Sequence, residues 1–462
     1  MFAKICQDSR LMGYGKKRID GDKFLIFPAR HDQAQEIHPM FQTLKSNSPF
    51  SAPRDDTARA SCGNGPKANS CYHYSPASFL ACLAFTVTSL LWPVRVLHSA
   101  ESQSFPPLSD VTESPIVGAI RWDAWYGKSD VTQAVEKTLG QPKYHYRLPW
   151  FAHLLGEDKV HIDGDSDAII ATEISYAAQA GLNYWAFLNY WEDSRELGIG
   201  LKRYFAAKDK KGIRYCLIEE GGRLDKIGVA VWPKLVEHFK SPDYQTVRGG
   251  QPLLFVYNKP NTFGRDDWDE LKRQTVAAGL EMPYLVLMGW NVEQDAVDMV
   301  ELGFNALSAY ARGGAYSMEQ PSYTEQGLLL KESLWDRWQQ LHIPCVTLAS
   351  AGWDTRPRNE RPPNWIKNLV GQPSPDTTPF LEQKPLMDSV TATAEQLRSH
   401  LLDAIQWTKD HRDITLANAI IVYAWNEHDE GGWLQPTLGT DGRPNEERIK
   451  ALGQILRHPA KQ

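Results

Sequence analysis

The sequence predicts an α/β protein with a (β/α)8 TIM barrel, preceded by a largely disordered N-terminal segment that contains one apolar helix. Three observations predict this fold. Eight short apolar runs recur after residue 116, helical patterns fill the intervals, and no phosphate-binding glycine motif follows an early run. Strands buried on both faces have continuous apolar sequences, and eight strand–helix alternations build a barrel. The alternative is a doubly wound open sheet, which usually carries a G-x-G-x-x-G turn.

The predicted strands are each bounded by Gly, Pro or polar residues. They cover 117–122, 182–191, 213–220, 252–258, 284–290, 304–311, 344–353 and 419–427. The helical patterns cover 167–180, 268–278, 293–302, 324–341, 394–411 and 445–456. Gly181 follows the first helix as a C-cap residue. The intervals 124–165 and 355–393 are long, and we expect both at the end of the barrel where active sites are built.

The N-terminal hundred residues have a different composition. Residues 1–76 are polar and irregular, which predicts disorder or an extension upstream of the true start. Residues 77–94 form an uncharged apolar run, so 77–100 is predicted to be a signal peptide or a membrane anchor, with a buried helix as a third alternative. The catalytic barrel is then expected over 115–458. We expect the protein to be secreted or extracytoplasmic (periplasm), or anchored by residues 77–94.

The composition limits which binding partners and cofactors are expected. The net charge of −6 gives no electrostatic argument for nucleic-acid binding, and six Cys in 462 residues are too few for a disulfide scaffold. Zinc spacings and the G-x-S-x-G elbow are absent from the sequence. We therefore expect no cofactor and no metal. A hard metal ion held by His428, Asp429 and Glu430 is the alternative.

Tryptophan is concentrated where the predicted strands end. Seven of the 16 Trp are in such positions, namely Trp122, Trp125, Trp191, Trp290, Trp353, Trp425 and Trp433. Aromatic faces among carboxylates and amides suit sugar rings, although these Trp could also simply fill the barrel mouth. The predicted substrate-binding residues are Asp123, Trp125, Tyr190, Trp191, Glu219, Tyr257, Trp290, Tyr310, Trp353, Asp354, Arg356, Trp425 and Asn426. The expected partner is an oligo- or polysaccharide.

The most specific local pattern follows the eighth strand. Glu427 and Glu430 lie three residues apart and enter a Gly-Gly turn. Glycoside cleavage needs one carboxyl to protonate the leaving oxygen and a second as nucleophile or base, and close carboxylates raise one another's pKa. These two are the predicted catalytic residues, with the raised pKa expected on Glu430 beside Asp429. A solvated acidic loop is the alternative interpretation.

The segment 425–432, W-N-E-x-x-E-G-G, resembles the W-N-E-W-x-E-G signature of glycoside hydrolase family 99 and its WbsX-like relatives. Two weaker resemblances agree with it. The elements A-G-L-N-Y-W at 180–185 with N-Y-W at 189–191 resemble the family's A-G-I-D-G-F…Y-W-F, and P-L-L-F-V-Y at 252–257 resembles K-P-V-L-L-V-Y. Together they cover about residues 115–458.

The resemblance implies a barrel that hydrolyses α-mannoside-type linkages with retention and without a metal. It implies that Glu427 takes the proton of the sugar 2-hydroxyl to give a 1,2-anhydro sugar, and that Glu430 is general acid and then base. His428 departs from the family's aromatic residue, which leaves the substrate open. The other hypothesis is a non-hydrolytic glycan-binding or polysaccharide-biosynthesis barrel. If the protein is a hydrolase, Glu427 and Glu430 should share one cavity with Tyr190, Tyr257 and Trp290.

Overall fold

A computed structural model of the chain describes residues 114–457, except 127, 192–196, 313–319, 369 and 371–388, together with two strands nearer the N-terminus. Those strands, Tyr14–Arg18 and Phe24–Pro28, form an antiparallel hairpin. The rest of the segment 1–76, predicted to be disordered or an upstream extension, lies outside the described residues. The predicted signal peptide or anchor at 77–100 lies outside the described residues.

Eight parallel strands form the barrel, and the predicted (β/α)8 fold is confirmed. They are β1 Ile116–Arg121, β2 Tyr184–Leu188, β3 Arg214–Glu220, β4 Gln251–Tyr257, β5 Tyr284–Met288, β6 Ala306–Ser308, β7 Thr347–Ser350 and β8 Ala419–Tyr423. Consecutive strands pair from β1 to β6 and from β7 to β8, and β8 pairs with β1. A bridge between Leu307 and Cys345 joins β6 to the residues before β7 and closes the ring.

Helices occupy the intervals between strands. They are α1 Asp130–Leu139, α2 Asp167–Ala180, α3 Ile199–Ala206, α4 Gly221–Ile227, α5 Trp232–Phe239, α6 Arg265–Ala277, α7 Val292–Leu302, α8 Tyr323–Leu330, α9 Asp336–Leu341, α10 Arg356–Glu360, α11 Ala394–Asp410 and α12 Glu447–Leu456. The predicted helix 324–341 is divided by a π-helical turn, Lys331–Trp335. There the Ser333 hydroxyl donates to the Leu329 carbonyl (2.7 Å) and competes with the backbone ladder. As predicted, Gly181 ends α2 in the left-handed conformation.

The strands are closely packed at the β1–β2 contact. A Cβ atom on Gly118 of β1 would lie 2.3 Å from the ring of Tyr184, whose hydroxyl donates to the Ile420 carbonyl (3.0 Å). This hydrogen bond to β8 fixes the Tyr184 ring, which therefore cannot move aside freely. A glycine is required in β1 because the neighbouring ring occupies the space of its side chain.

We expect Gly118→Ala to lower the free energy of unfolding by about 1–3 kcal/mol, the usual range for overpacking a filled core. Chemical denaturation of purified protein measures this difference. Gly156→Ala is the matched control, since its Cβ would find its nearest neighbour at 3.9 Å, and its effect should stay within about 0.5 kcal/mol. Equal stabilities for the two variants would contradict the close contact at β1.

The two long insertions contact each other. The first, after β1, contains α1, the 3-10 turn Pro142–Arg147 and a small hairpin, and the second, after β7, begins with α10. Glu360 of α10 accepts from the Lys143 ammonium (2.7 Å) and the Tyr144 hydroxyl (2.9 Å) of the first insertion. Both insertions therefore lie at one end of the barrel, as expected. No helix in the described part of the chain is long and apolar enough to cross a membrane.

Candidate active site

An open pocket of about 420 Å³, including the solvent space at its mouth, lies at the carboxyl ends of the barrel strands. Its walls are Trp122, Leu188, Tyr257, Trp290, Tyr310, Ala311, Trp353, Arg358, Trp365, Glu427 and Glu430. Most of these side chains end a strand or follow one within a few residues. The pocket brings together six of the predicted site residues: Tyr257, Trp290, Tyr310, Trp353, Glu427 and Glu430.

The turn after β8 carries both pocket carboxylates. Asn426–Glu427 pairs with Gly432–Trp433 as a two-residue hairpin around the 3-10 turn His428–Glu430. The Asn426 side chain accepts from the Trp122 backbone N–H (2.9 Å) and donates to the Trp122 carbonyl (2.7 Å). Its amide therefore anchors the turn to the end of β1, and this is the physical role of the Asn in the motif.

Glu427 is buried, and its two oxygens have different surroundings. Oε1 accepts a hydrogen bond from the Tyr310 hydroxyl (2.9 Å). Oε2 makes no hydrogen bond among the described residues and lies 3.6 Å from Nη2 of Arg358. Burial, together with the nearby charge of Glu430, raises the pKa of the Glu427 carboxyl well above its ordinary value.

Arg358 is the centre of the acidic turn. Its Nη1 donates to Oε1 of Glu430, while Nε (2.7 Å) and Nη2 (3.0 Å) donate to the two oxygens of Asp429. The Tyr423 hydroxyl donates to the other Glu430 oxygen, Oε2. One guanidinium on α10 thus contacts the carboxylates of a turn about 70 residues further along the chain.

The pKa that the structure shows to be raised is that of Glu427, while the sequence analysis expected a raised pKa on Glu430, which stays a prediction. The prediction used the like charge of Asp429 and Glu427 beside Glu430. It did not include Arg358, because nothing in the sequence places residue 358 against the β8 turn. The guanidinium hydrogen-bonds Asp429 and Glu430 directly and only approaches Glu427. Burial without a direct hydrogen bond from a cation raises the pKa at Glu427.

Aromatic rings form the rest of the wall. Tyr257 packs against Tyr310 (centroids 4.8 Å apart) and against Trp290 (6.0 Å). Trp290 is 40% exposed, and its indole N–H donates to Asn258 (2.9 Å), which fixes the ring at the rim. Trp122 and Trp365 meet edge to face at 6.4 Å. The pocket therefore offers ring faces beside carboxylates.

Four of the predicted substrate-binding residues make their contacts away from the pocket. Asp123, Trp125, Trp425 and Asn426 are buried and do not line the pocket. Asp123 pairs with Arg121 (2.8 Å), and burial raises its pKa to about 6. The Trp425 indole N–H donates to Glu173 (3.2 Å), and Trp125 packs edge to face on His428. A position at a strand end does not determine whether a side chain points into the mouth, and these four point into the packed interior.

Five more predicted residues, Tyr190, Trp191, Glu219, Asp354 and Arg356, also lie outside the pocket lining. Glu219 accepts from Asn189 (2.7 Å) and from the Trp191 indole (2.8 Å). Tyr190 accepts from the Trp122 indole (2.7 Å) and so supports the wall from behind.

Asp354 is held between two cations. It contacts Arg147, and Arg356 donates to its oxygens at 2.7 and 2.6 Å. Burial opposes ionisation, but the hydrogen bonds and charges of these arginines lower the pKa of Asp354 below its ordinary value. Both Glu219 and Asp354 are fully engaged away from the pocket, so neither is positioned as a nucleophile.

The sequence analysis missed several wall residues. They are Trp122, Leu188, Ala311, Arg358 and Trp365. The sequence did give an indication for Trp122, because it is one of the Trp residues at the end of a predicted strand. Arg358 and Trp365 lie in the insertion after β7, where only the length of the insertion indicated a role.

A metal site at the β8 turn is the alternative raised by His428. The ring nitrogen Nδ1 contacts the Arg147 carbonyl, and Nε2 lies 3.1 Å from Oε1 of Gln435. Burial lowers the pKa of His428 to about 4, so the ring is neutral. Both nitrogens already have protein partners. Among the described residues, no group of three or more His, Cys, Asp and Glu side chains is placed to hold a metal ion.

Comparison with known proteins finds similar solved structures. Two of them are structures of the GH99 endo-α-mannosidase from Bacteroides thetaiotaomicron, one in complex with Bis-Tris propane. Each is 12% identical in sequence, and the alignment covers 74% of this chain and 96% of the other, with TM-scores of 0.43 for the complex and 0.45 for the second structure. No protein-family model and no curated protein matches the sequence. At this identity the similarity concerns the fold alone.

Proposed function

We propose that the protein is a glycoside hydrolase that cleaves an oligo- or polysaccharide with Glu427 and Glu430 as its catalytic pair. One observation carries this proposal: two buried carboxyls from one turn line a single pocket whose other walls are mostly aromatic. A sugar ring has C–H faces that stack on aromatic rings and hydroxyls that bond to carboxylates. The pocket offers both.

The chemistry needs two carboxyls in different protonation states, and the pocket supports this requirement. Glu427 has a raised pKa, whereas Glu430 is hydrogen-bonded to a guanidinium. Environments that separate the protonation of two carboxyls are the usual means by which glycosidases assign an acid and a base. The other carboxylates considered, Glu219 and Asp354, have their own partners outside the pocket.

We further propose α-mannoside-like or related linkages and a retaining reaction through a 1,2-anhydro sugar, supported by the W-N-E-x-x-E-G-G resemblance. First, one carboxylate takes the proton of the 2-hydroxyl and O2 bonds to the anomeric carbon. The glycosidic bond breaks as the other carboxyl protonates the leaving oxygen. Then water adds to the anomeric carbon, the bond from O2 to that carbon breaks, O2 regains its proton from the first carboxyl, and the second takes a proton from water.

The resemblance assigns the proton on O2 to Glu427 and the leaving oxygen to Glu430. The apolar run at 77–94 supports the further proposal that this hydrolysis takes place outside the cytoplasm. The test begins with a screen of mannan-, fucan- and rhamnan-type glycans for released reducing ends, with Glu430→Gln as the inactive control. We expect the unaltered protein to cleave at least one glycan that the Glu430→Gln variant leaves intact.

A 2-deoxy-2-fluoro analogue of the cleaved glycan then tests the mechanism. Without a 2-hydroxyl the anhydro route is closed, so we expect no turnover and no covalent label on the protein by mass spectrometry. A fluorosugar trapped on any carboxylate would overturn the anhydro route while leaving the hydrolase class intact. Tight binding of a glycan without any hydrolysis would favour the alternative of a glycan-binding or polysaccharide-biosynthesis barrel.

A further inference from the structure

We propose that Asn258 is a positioning residue that holds the Trp290 ring, at the rim of the pocket, as the stacking face for the sugar unit next to the one that is cleaved. The proposal deepens the proposed function and rests on it for the identity of the ligand as a glycan. Asn258 was not among the predicted site residues, and it does not line the pocket. Its role is to fix the ring that does.

Trp290 differs from most other aromatic residues of the pocket wall in its exposure. It is 40% exposed, whereas Trp122, Tyr257, Tyr310 and Trp353 are buried. Core packing accounts for a buried ring, but an exposed indole beside a pocket combines a large apolar face with a polar N–H group, a combination common where proteins bind ligands. Trp290 therefore keeps a ring face that a sugar in the pocket can reach.

The order of the rings along the wall places Trp290 away from Glu427. The Tyr310 hydroxyl donates to Glu427 (2.9 Å), and the Tyr310 ring packs against Tyr257 with centroids 4.8 Å apart. The Trp290 ring follows at 6.0 Å from Tyr257. Two tyrosine rings thus stand between Glu427 and Trp290. A sugar whose 2-hydroxyl reaches Glu427 lies beside the tyrosines, so the unit joined to it is the one that meets Trp290.

The Trp290 side chain is held in one orientation although it is exposed. Its indole N–H donates to Oδ1 of Asn258 (2.9 Å), and its ring meets Tyr257 edge to face. Its backbone carbonyl accepts from Nη1 of Arg312 (2.9 Å). A mobile side chain loses conformational entropy when it binds a ligand, so a ring that is already fixed binds more tightly. The hydrogen bond to Asn258 provides this pre-organisation.

The backbone of Asn258 allows its side chain to reach the indole. Asn258 follows β4 directly, and its N–H donates to the carbonyl of Met288 (2.9 Å), two residues before Trp290 on the neighbouring strand. The residue has a φ of 58°, in the left-handed region. Among residues with a side chain, Asn and Asp adopt this conformation most readily. An Asn therefore suits both the backbone conformation and the hydrogen bond at this position.

Hydrogen exchange of the Trp290 indole tests the positioning in the absence of any glycan. In isotope-labelled protein, the NMR signal of this indole N–H is identified by its loss in Trp290→Phe. Asn258→Gly keeps the left-handed backbone and removes the amide, so we expect the indole proton to exchange faster with solvent. Asn258→Asp keeps an oxygen acceptor and should retain the slow exchange.

Binding affinity then tests the role of the ring in recognition. Calorimetry on Glu430→Gln protein measures the affinity for fragments of one, two and three units, cut from the mannan-, fucan- or rhamnan-type glycan that the screen identifies. We expect the second unit to raise the affinity, and Asn258→Gly should reduce this gain by about 2–10-fold, the usual effect of having to order one mobile side chain. Asn258→Asp should restore the gain. In a Trp290→Ala background, Asn258→Gly should have no further effect, because the ring that it positions is gone.

The matched control is Asn418→Gly. Asn418 is also left-handed, with a φ of 47°, but it immediately precedes β8 and so lies at the opposite end of the barrel. Its replacement should change neither the exchange of the Trp290 indole nor the gain in affinity from the second unit.

Two results would overturn the proposal. One is indole exchange that stays as slow in Asn258→Gly as in the unaltered protein. The other is a gain in affinity from the second unit that keeps its full size in Asn258→Gly or in Trp290→Ala. Either result, with glycan hydrolysis by the unaltered protein intact, removes this inference alone and leaves the hydrolase standing. Absence of binding at every fragment length counts instead against the hydrolase itself, and this inference then fails with it.

Discussion

Replacing Glu430 with Gln is expected to lower kcat by about 10²–10⁴-fold on glycosides with poor leaving groups, the usual contribution of a general acid. The loss should be much smaller on aryl glycosides of the same sugar, because a good leaving group needs little protonation. Replacing Glu427 with Gln should slow both substrate types by a similar large factor, because the 2-hydroxyl then keeps its proton. Steady-state kinetics on matched alkyl and aryl substrates measures the difference.

The pH dependence gives an independent check on Glu427. A general base is active when ionised, and the pKa of Glu427 is raised by burial and by the charge of Glu430. Activity should therefore stay low just above the ordinary Glu pKa of about 4.3 and increase as the pH rises through the raised value. The residual activity of the Glu427→Gln variant should lack this increase. If Glu427→Gln, and not Glu430→Gln, spares the aryl substrates, the assignment of the two roles is wrong.

Replacing Arg121 with Met is expected to lower the free energy of unfolding by about 3–5 kcal/mol, the cost of removing one partner from a buried ion pair. Arg121 is fully buried and donates to Asp123 (2.8 Å), Glu173 (2.9 Å) and the Tyr126 hydroxyl (2.7 Å). Its guanidinium also lies 4.6 Å from the ring of Trp185. Without it, two carboxyls would remain buried in the barrel with no cation beside them.

Urea denaturation at pH 8 and at pH 5 measures this effect. The deficit should be smaller at pH 5, because the pKa of Asp123 is raised to about 6 by burial and a protonated Asp123 needs no cation. The matched control is Arg203→Met, whose side chain is 33% exposed and pairs with Asp165 and Asp167 at 2.7 Å. That exposed pair should contribute no more than about 1 kcal/mol. Equal losses for both arginines would contradict the account.

Much of the fold was predictable because it depends on local patterns. The apolar runs predicted all eight strands to within a few residues. Helix α2 was predicted at its observed bounds, because hydrophobic periodicity and the C-cap at Gly181 are local signals. The run 304–311 was predicted too long, since β6 has three residues. Hydrophobicity identifies a buried segment but does not determine how many of its residues pair.

The site was predictable where the chain itself brings residues together. Glu427 and Glu430 share a turn, so their shared pocket followed from spacing once the barrel was known. Arg358 and Trp365 reach the pocket through the insertion after β7, and their approach depends on tertiary packing that no local pattern encodes. For the same reason, Trp125 and Trp425 could not be distinguished from Trp290, because all three lie at strand ends and only packing separates buried from exposed rings.

The closure of the ring has a consequence for motions near the pocket. Strand β6 pairs with β5 along all three of its residues. Towards β7, the pairing described is a single bridge at Leu307, whose backbone forms hydrogen bonds with Pro344 and Val346 (both 2.9 Å). Amide protons at this seam should exchange with solvent sooner than those between β8 and β1, because few hydrogen bonds must break to open it. Tyr310 follows β6 by two residues and donates to Glu427. Opening of the pairing between β6 and β7 would therefore also disturb the hydrogen bond from Tyr310 that orients the Glu427 carboxyl.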